Sequence, residues 1–363
     1  MNQKLKPIAF YLPQFHPIPE NDVWWGKGFT EWTNVKKAKP LYKNHYQPHV
    51  PTELGYYDLR DESVRIKQAK LAQEHGIYGF CYWHYWFGGG KRLLEQPARD
   101  FLVSSRPDFP ICFAWANQTW SGIWHGAPNK VLIRQEYLGK IDDEAHFNEV
   151  LPYFKDSRYI LVEGKPLFLI YRPFDHPYLD SFIEHWDYLA KRAGLPGIYF
   201  LGISYQKQNP FKYLNGFVFH DQFLQKGRFN LLEKVIKKLT KKYPNEILSL
   251  WTKGCVVTSF HELVKRSHNE KMERGNFPTL HVGWDNTPRS GKRGIVHHDF
   301  NLDLLRVQLE KLISCINFEQ EPIFFIKSWN EWAEGNYLEP DERFQRGKLE
   351  KIKSVLESMT NKN

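Results

Sequence analysis

Eight short apolar segments alternate with helix-like stretches along this chain. Several of these segments are apolar at every position, which is typical of parallel strands that are buried on both faces. They predict strands at residues 8–11, 78–83, 111–115, 167–171, 198–203, 217–219, 280–282 and 323–328. Because eight strand–helix units indicate a closed barrel rather than an open sheet, we predict an α/β fold of the (β/α)₈ or TIM-barrel class.

The turn after the first predicted strand supports a barrel. A doubly wound sheet often carries a glycine-rich phosphate turn at this place. This chain instead has Leu12-Pro13-Gln14-Phe15-His16-Pro17. Its 363 residues suit a barrel with elaborated loops. We therefore predict one barrel domain over residues 1–363, with helices at 61–75, closed by Gly76, and at 304–316.

A long connection around residues 221–275 follows the sixth predicted strand and resembles a helical insertion. Within it, residues 231–243 predict a helix with apolar side chains on one face and lysines on the other. Such a basic face is either an ordinary solvated surface or one that contacts anionic lipid or glycan. The net charge of +9 suits an anionic partner but does not select one.

The cysteines and the N-terminal residues predict the cellular compartment. Cys81, Cys112, Cys255 and Cys315 lack CxxC spacing, so we expect buried thiols in a reducing environment. The apolar segment at 8–11 is too short for a signal peptide. No run of about 18 apolar residues occurs either. We expect a soluble cytoplasmic protein, either free or in peripheral contact with a membrane.

Aromatic and polar side chains follow the predicted strands. Aromatic residues make up 16% of the chain, including 13 tryptophans, which is more than a core needs. The active site of a (β/α)₈ barrel is built from the loops after its strands. Flat aromatic faces together with amides, imidazoles and carboxylates suit a polyhydroxylated sugar ring, whose hydroxyls must recover the hydrogen bonds that they made in water.

Two glutamates after the eighth strand are the candidate catalytic residues. Glu331 and Glu334 lie three residues apart, and both can face one ligand if the chain turns into helix there. Glycosidic cleavage needs one protonated and one ionised carboxyl group. Two close carboxylates push each other's pKa apart, which divides these roles. The alternative is an ordinary helix N-terminus, where glutamate is favoured by the helix dipole.

The other strand ends supply candidate substrate-binding residues. We predict stacking by the tryptophans and hydrogen bonding by the polar groups, with Asp285 and Arg289 binding either ring hydroxyls or a charged substituent, or forming a structural ion pair. No metal and no cofactor are predicted, because His261-Glu262-Leu263-Val264-Lys265 lacks the second histidine of HExxH. The candidates are Tyr11, Gln14, His16, Trp25, Glu31, Trp32, Trp83, His84, Trp115, Asn117, Trp120, Tyr171, Asp285, Arg289, Trp329 and Asn330.

Two segments carry a family resemblance. Ser328-Trp329-Asn330-Glu331-Trp332-Ala333-Glu334-Gly335, followed by Glu339-Pro340, resembles the catalytic segment of glycoside hydrolase family 99, the endo-α-mannosidases and endo-α-mannanases. From Ile8 to about Asp341 the chain is closer to the WbsX-like proteins, a related group often encoded with bacterial surface-polysaccharide genes. The N-terminal part of that resemblance covers residues 11–17 and 24–32.

The resemblance implies a (β/α)₈ barrel and a retaining reaction. In family 99 the first glutamate takes the proton of the sugar's 2-hydroxyl to form a 1,2-anhydro sugar, and the second acts as acid and then base. By position, Glu331 is then the base and Glu334 the acid/base. Family 99 has a histidine or similar polar residue at Ala333 and Thr-Gln at Asn336-Tyr337, so this chain departs from it around the glutamates but not at them.

Three classes of function follow from these observations. The first is a glycoside hydrolase or transglycosidase acting on a polysaccharide or lipid-linked oligosaccharide. The second is a glycosyltransferase of O-antigen, capsule or lipopolysaccharide assembly, although the chain has no DxD-type motif at a strand end and no glycine-rich phosphate loop. The third is a non-catalytic glycan-binding or nucleic-acid-binding protein. We expect a glycan partner and no nucleic acid, because carboxylates at the strand ends repel phosphate.

Overall fold

The computed structural model describes residues 4–122, 127–204, 206, 208–219 and 254–360. Eight parallel strands form its centre, and each of the eight predicted strands is confirmed. The strands are β1 Lys6–Tyr11, β2 Gly79–His84, β3 Ile111–Trp115, β4 Lys165–Ile170, β5 Tyr199–Ser204, β6 Gly216–Phe219, β7 Phe277–His281 and β8 Ile323–Lys327.

The sheet closes on itself. Each strand pairs in parallel with its neighbours in chain order, and β1 also pairs with β8, as in the register of Lys6 with Ile323. Closure between β3 and β4 is made by pairs such as Phe113 with Phe168. Helices lie between the strands, so the predicted (β/α)₈ TIM barrel is confirmed.

Ten helices are described. Helix α3 begins after Asp61, whose carboxylate accepts the Ser63 N–H as an N-cap, and Gly76 follows its end with a φ of 78°. This agrees with the prediction for residues 61–75. The helices are α1 Pro19–Trp25, α2 Glu31–Lys37, α3 Glu62–Glu74, α4 Gln96–Ser104, α5 Lys140–Phe154, α6 Leu179–Arg192, α7 Phe260–Arg266, α8 Thr287–Ser290, α9 Leu302–Cys315 and α10 Gly347–Thr360.

Short strands elaborate the loops. Two form an antiparallel hairpin after β3, one precedes β4, two pair in parallel beside β7, and two form a small hairpin after β8. In that order they are Trp120–Gly122 with Ala127–Ile133, Leu161–Val162, Val256–Ser259 with Ile295–His298, and Asn330–Glu331 with Asn336–Tyr337. The helix predicted at 231–243 lies outside the described residues. Of the predicted insertion at 221–275, the described part contains the strand Val256–Ser259 and α7.

Side chains of each barrel strand point alternately inward and outward. Inside the barrel, Phe10 stacks between Trp83 and Phe325, with ring centroids 5.0 and 5.5 Å away. The next residue of β1, Tyr11, points outward, where its hydroxyl donates to Gln68 of α3 at 2.7 Å. This alternation decides which strand-end residues reach the site.

The cysteine prediction is confirmed in its structural part. All four cysteines lie in described regions, all are buried, and none forms a disulfide. Among the described helices, none combines the length and the apolar character that a membrane crossing requires.

Candidate active site

The segment after β8 folds as a compact hairpin around one turn. Asn330–Glu331 pairs antiparallel with Asn336–Tyr337, and Trp332–Glu334 forms a single 3₁₀ turn between them rather than the start of a longer helix. Gly335 closes the turn with a φ of 64°, and a Cβ on it would lie 2.6 Å from the Asp285 nitrogen. Only glycine fits there without strain. The turn brings Glu331 and Glu334 together at the carboxyl end of the barrel.

Hydrogen bonds to buried side chains fix this hairpin. The Asn330 amide accepts the Leu12 N–H at 2.7 Å and donates to the Leu12 carbonyl at 3.0 Å, which joins β1 to the segment. Glu339 accepts the Trp332 indole N–H at 2.6 Å, and also the Tyr57 hydroxyl and a Gln68 N–H. The glutamate pair is therefore held on a rigid support.

Arg289 joins the glutamate pair to a third carboxylate. Its Nη1 lies 2.6 Å from Glu334 and 3.9 Å from Glu331, while Nε and Nη2 each lie 2.8 Å from Oε1 of Glu31. The three carboxylate side chains are at most 10% exposed. Such charge-assisted bonds are the stronger kind of hydrogen bond. The loops after β1, β7 and β8 thus meet at one guanidinium.

The pKa values of the two glutamates are shifted in opposite directions. Burial, together with the negative charge of Glu334, raises the pKa of Glu331 against the opposing effect of Arg289. Burial also acts to raise the pKa of Glu334, but Arg289 at 2.6 Å and Lys327 outweigh it, so that pKa is lowered. The opposite shifts favour the protonated form of Glu331 and the ionised form of Glu334.

Inward-pointing aromatic residues line the space beside the pair. The Trp83 indole N–H donates to Glu331 at 3.1 Å, and Tyr171 meets the Trp83 ring edge-on at 5.3 Å. Tyr85 lies close enough for Glu331 to raise the pKa of its hydroxyl, although burial is the larger cause. The predicted residues Trp83, Tyr171, Glu31 and Arg289 therefore come together with the pair.

Three residues near the pair were absent from the predicted set. Tyr85 and Lys327 both act on its electrostatics, and the Lys327 ammonium lies 4.9 Å from the ring centroid of Trp284. The inward–outward alternation of strand residues could have identified two of them. Tyr85 follows the inward Trp83 by two residues, and Lys327, at the end of β8, follows the inward Phe325 by two residues. Trp284 sits in a loop and has no such signal.

Three further candidates lie around the mouth of the barrel. Trp120 meets Tyr85 edge-on at 5.1 Å and Trp24 at 6.1 Å, and Trp25 is half-buried beside Phe29. Gln14 is half-buried, and its carbonyl accepts the Glu31 N–H at 3.0 Å. Their roles as stacking or hydrogen-bonding groups stay predictions.

Six further candidates pack outside the barrel interior or beneath its loops, and their roles as substrate ligands stay predictions. Each packs against neighbouring side chains, and four of the six also form a side-chain hydrogen bond within the protein. They are Tyr11, bonded to Gln68; His16, 1% exposed; Trp32, whose N–H donates to Tyr57; His84, whose Nε2 lies 2.8 Å from Nε2 of His146; Trp115, whose N–H donates to Trp86; and Trp329, packed on Phe80.

The side chains of the two candidate asparagines form hydrogen bonds with backbone groups. Asn330 ties β1 to the catalytic segment, as described above. Asn117 accepts the Arg172 N–H at 2.7 Å and donates to the Arg172 carbonyl and to the Tyr137 hydroxyl, each at 2.9 Å. Both side chains are almost fully buried and hold loops through these bonds, and their predicted role in binding sugar hydroxyls stays a prediction.

Asp285 belongs to the framework of the site. One carboxylate oxygen accepts from His45 Nε2 and from Gln47, both at 2.7 Å, and the other accepts the Thr287 N–H at 3.0 Å and hydroxyl at 2.6 Å. Its own N–H donates to the Glu334 carbonyl at 2.7 Å. With both oxygens occupied by protein donors, Asp285 connects the loops on either side of the catalytic turn.

We expect Asp285→Asn to destabilise the fold by about 3 kcal/mol, because an amide cannot accept all four donors of a buried carboxylate. Burial opposes ionisation, but the donors and His49 still lower the pKa of Asp285. The stabilisation is thus present above the unfolded-state pKa and is lost as the pH falls through the folded-state pKa. Denaturant unfolding at about pH 7 measures the loss. Asp303→Asn, on an 82% exposed side chain, is the matched control, and equal stability of the two variants would contradict the framework role.

Within the regions that the structure describes, no group of three or more His, Cys, Asp or Glu side chains is arranged to hold a metal ion.

Comparison with known proteins gives a family and a fold. The family model described as "Glycosyltransferase WbsX" matches residues 7–352. Proteins named "Uncharacterized protein WxcX", from two strains of Xanthomonas campestris pv. campestris, are each 35% identical over 356 residues, covering 96% of this chain and 49% of the relative. The chain thus spans about half the length of the curated relatives that it matches.

Solved structures share the barrel at low sequence identity. A "Glycoside hydrolase-like protein" superposes with a TM-score of 0.60 at 14% identity, covering 98% of this chain and 94% of its own. The GH99 endo-α-mannosidase from Bacteroides thetaiotaomicron, in complex with Bis-Tris-propane, gives a TM-score of 0.57 at 16% identity, with 98% and 97% coverage. These likenesses concern the fold.

Proposed function

Because the chain belongs to the WbsX family and is thereby a carbohydrate-active enzyme, we propose that it is a retaining glycoside hydrolase or transglycosidase of the family 99-like type. Its substrate is a polysaccharide or a lipid-linked oligosaccharide. A lipid-linked substrate would bring the protein into peripheral contact with a membrane.

One observation carries this proposal: two buried glutamates share one site with Arg289, and their surroundings shift their pKa values in opposite directions. Arg289 at 2.6 Å lowers the pKa of Glu334, while burial and the Glu334 charge raise the pKa of Glu331. A glycosidic bond breaks with help from such a pair, since the leaving oxygen needs a proton and the attacking group must lose one.

The reaction that fits is participation of the sugar's own 2-hydroxyl. The ionised glutamate accepts the proton of that hydroxyl, and the hydroxyl oxygen, O2 of the sugar, forms a bond to C1. The bond from C1 to the leaving oxygen breaks at the same time, and the protonated glutamate gives its proton to the leaving oxygen. The resulting 1,2-anhydro sugar is then opened at C1 by water or by a sugar hydroxyl. The glutamate that took up the 2-hydroxyl proton returns it to O2, and the other glutamate takes a proton from the attacking water or sugar hydroxyl, which restores the site.

The second candidate is a glycosyltransferase of O-antigen, capsule or lipopolysaccharide assembly. The description of the matching family favours it. Transfer and hydrolysis can share one retaining site, and they differ in the group that opens the intermediate. A nucleotide-sugar donor would in addition require a site for its diphosphate.

We expect the protein to cleave or transfer at least one member of a panel of α-mannosides and bacterial O-antigen oligosaccharides. Products are identified by mass spectrometry in H₂¹⁸O, so that hydrolysis leaves the label on the new reducing end and transfer does not. Glu331→Gln and Glu334→Gln should each lose the activity, because each removes a proton-transfer group. Glu319→Gln, on an exposed glutamate, is the matched control and should keep it.

Two results would overturn the proposal. Turnover that survives in both glutamine variants would remove the pair from the chemistry. Turnover that appears only when a nucleotide sugar is added, and fails with every glycoside, would assign the protein to the glycosyltransferases.

A further inference from the structure

A second cavity lies beside the catalytic segment. It encloses about 130 Å³ between the loop at 42–49, the residues after β7 and the segment at 335–348. A buried water needs about 10–15 Å³ by this measure, so the cavity has room for a ligand larger than a few waters. Neither Glu331 nor Glu334 lines it.

The cavity and the glutamate pair share a wall. Trp284 lines the cavity and lies beneath the Lys327 ammonium, which acts on the pKa of both glutamates. Asp285 and Gly335 also line the cavity, and the Asp285 N–H is bonded to the Glu334 carbonyl. A ligand in the cavity is therefore one residue layer from the catalytic turn.

The walls are aromatic and close to electrically neutral. Rings of Tyr42, Tyr46, Trp284, Phe300 and Phe344 line the cavity. Burial lowers the pKa of both His49 and His297 to about 4, so these imidazoles are neutral at physiological pH.

Most of the charged residues in the cavity walls already form hydrogen bonds with other protein groups. Asp285 has four donors, as described above, and Asp299 accepts from Ser259 and from the Phe260 N–H. Lys348 is 3% exposed, donates to the Tyr337 carbonyl, and lies 4.0 Å from the centroid of the Tyr337 ring. A metal ion would meet carboxylates that protein donors already fill.

Arg343 is the accessible cation. Its guanidinium lies 5.1 Å from the Tyr46 ring and 5.0 Å from the Phe344 ring. These two rings and one planar donor group suit a ligand with an apolar face and hydroxyls at its edge. The carboxylates of Asp285 and Asp299 also line the cavity, and their negative charge disfavours an anionic ligand.

We propose that this cavity is a second sugar-binding site, which takes a neutral pyranose ring beyond the bond that the glutamates attack. The inference rests on the proposed function and extends it, because the ring belongs either to the same glycan chain, passing Trp284, or to a separate glycan molecule. Where the ring belongs to the same chain, the site favours long substrates over short ones.

Binding to α-mannooligosaccharides from the disaccharide to the hexasaccharide, and to the O-antigen oligosaccharides of the panel, tests this. Calorimetry on the Glu334→Gln protein should show affinity rising about tenfold, equal to about 1.4 kcal/mol, at the length that reaches the cavity. Arg343→Ala or Tyr46→Ala, added to Glu334→Gln, should abolish that rise. Arg346→Ala, an exposed arginine paired with Glu53 outside the cavity, should leave it intact.

The pattern of binding distinguishes the two sources of the ring. A rise confined to long chains indicates one glycan that spans both sites, whereas a second equivalent of a short glycan, lost in Arg343→Ala, indicates a separate molecule. Equal affinity for all lengths, with one equivalent bound in every variant, overturns this inference while leaving the proposed function in place. A wild-type protein that neither binds nor converts any of these glycans would refute both.

Discussion

Glu331→Gln is expected to lower turnover of a glycoside with a sugar leaving group by about 10³-fold and yet to retain most turnover of the matching glycosyl fluoride. The pKa of Glu331 is raised and that of Glu334 is lowered, so Glu331 is the expected donor to the leaving oxygen. Fluoride departs without that proton. Glu334→Gln should lose both reactions, because its carboxylate is the base. The glycosyl fluoride is made from the sugar that the product panel identifies, and initial rates are compared.

The pH profile gives an independent measure of the same assignment. Wild-type activity on the glycoside should fall at acid pH, as Glu334 takes up a proton below its lowered pKa, and at alkaline pH, as Glu331 loses its proton above its raised pKa. With the fluoride, Glu331→Gln should lack the alkaline limb. The resemblance to family 99 implies the reverse roles. Retention of fluoride turnover by Glu334→Gln, instead of Glu331→Gln, would show that substrate binding moves the proton between the two.

The barrel could be predicted from the sequence because its signal is local. Each strand is a short apolar run, and the weakest, at residues 217–219, still appears as Gly216–Phe219. Helix α3 was likewise marked by its capping Asp61 and by Gly76. Strand number and chain order then determine the neighbours, since sequential parallel strands usually lie side by side.

The site was predicted less completely, because a residue at a strand end reaches the site only if its side chain points into the barrel. Residues at strand ends were chosen for their chemistry, but His84 and Trp115 point away from the interior, whereas Trp83 and Tyr85 point into it. Counting in steps of two from Phe10, Trp83 and Phe325 separates these groups. The side chains of Trp329 and Trp32 are likewise buried in the core.

The ion pair between Arg289 and Glu31 could not be predicted from any local pattern. The two residues are 258 positions apart, and they meet because the loops after β1 and β7 converge on the hairpin after β8. Their proximity depends on barrel closure and on the loop conformations together. The structure shows that Arg289 and Glu31, predicted separately as ligands, interact with each other and with the glutamate pair.

Removal of the Arg289 charge should therefore affect both stability and activity. We expect Arg289→Met to destabilise the fold by about 3–5 kcal/mol near neutral pH, because it leaves buried carboxylates without their cation. Activity should fall at least about 10²-fold, because Glu334 is then no longer held as a carboxylate. Arg306→Met, at an exposed arginine that lies 3.5 Å from Glu310 in the next helical turn, is the matched control.

The sign of the pH dependence tests the electrostatic origin of this effect. In the wild type Arg289 lowers the pKa of Glu334, so the pair stabilises the fold above the unfolded-state pKa and loses that contribution as the pH falls through the folded-state pKa. In Arg289→Met burial raises that pKa, and the folded state is increasingly penalised as the pH rises. The difference in melting temperature between the two proteins should thus be small at acid pH and large at neutral pH. Adding Glu31→Gln, which removes one unpaired carboxylate, should restore part of the stability but none of the activity. A pH-independent difference, or full activity in Arg289→Met, would show that Arg289 only fills space between the loops.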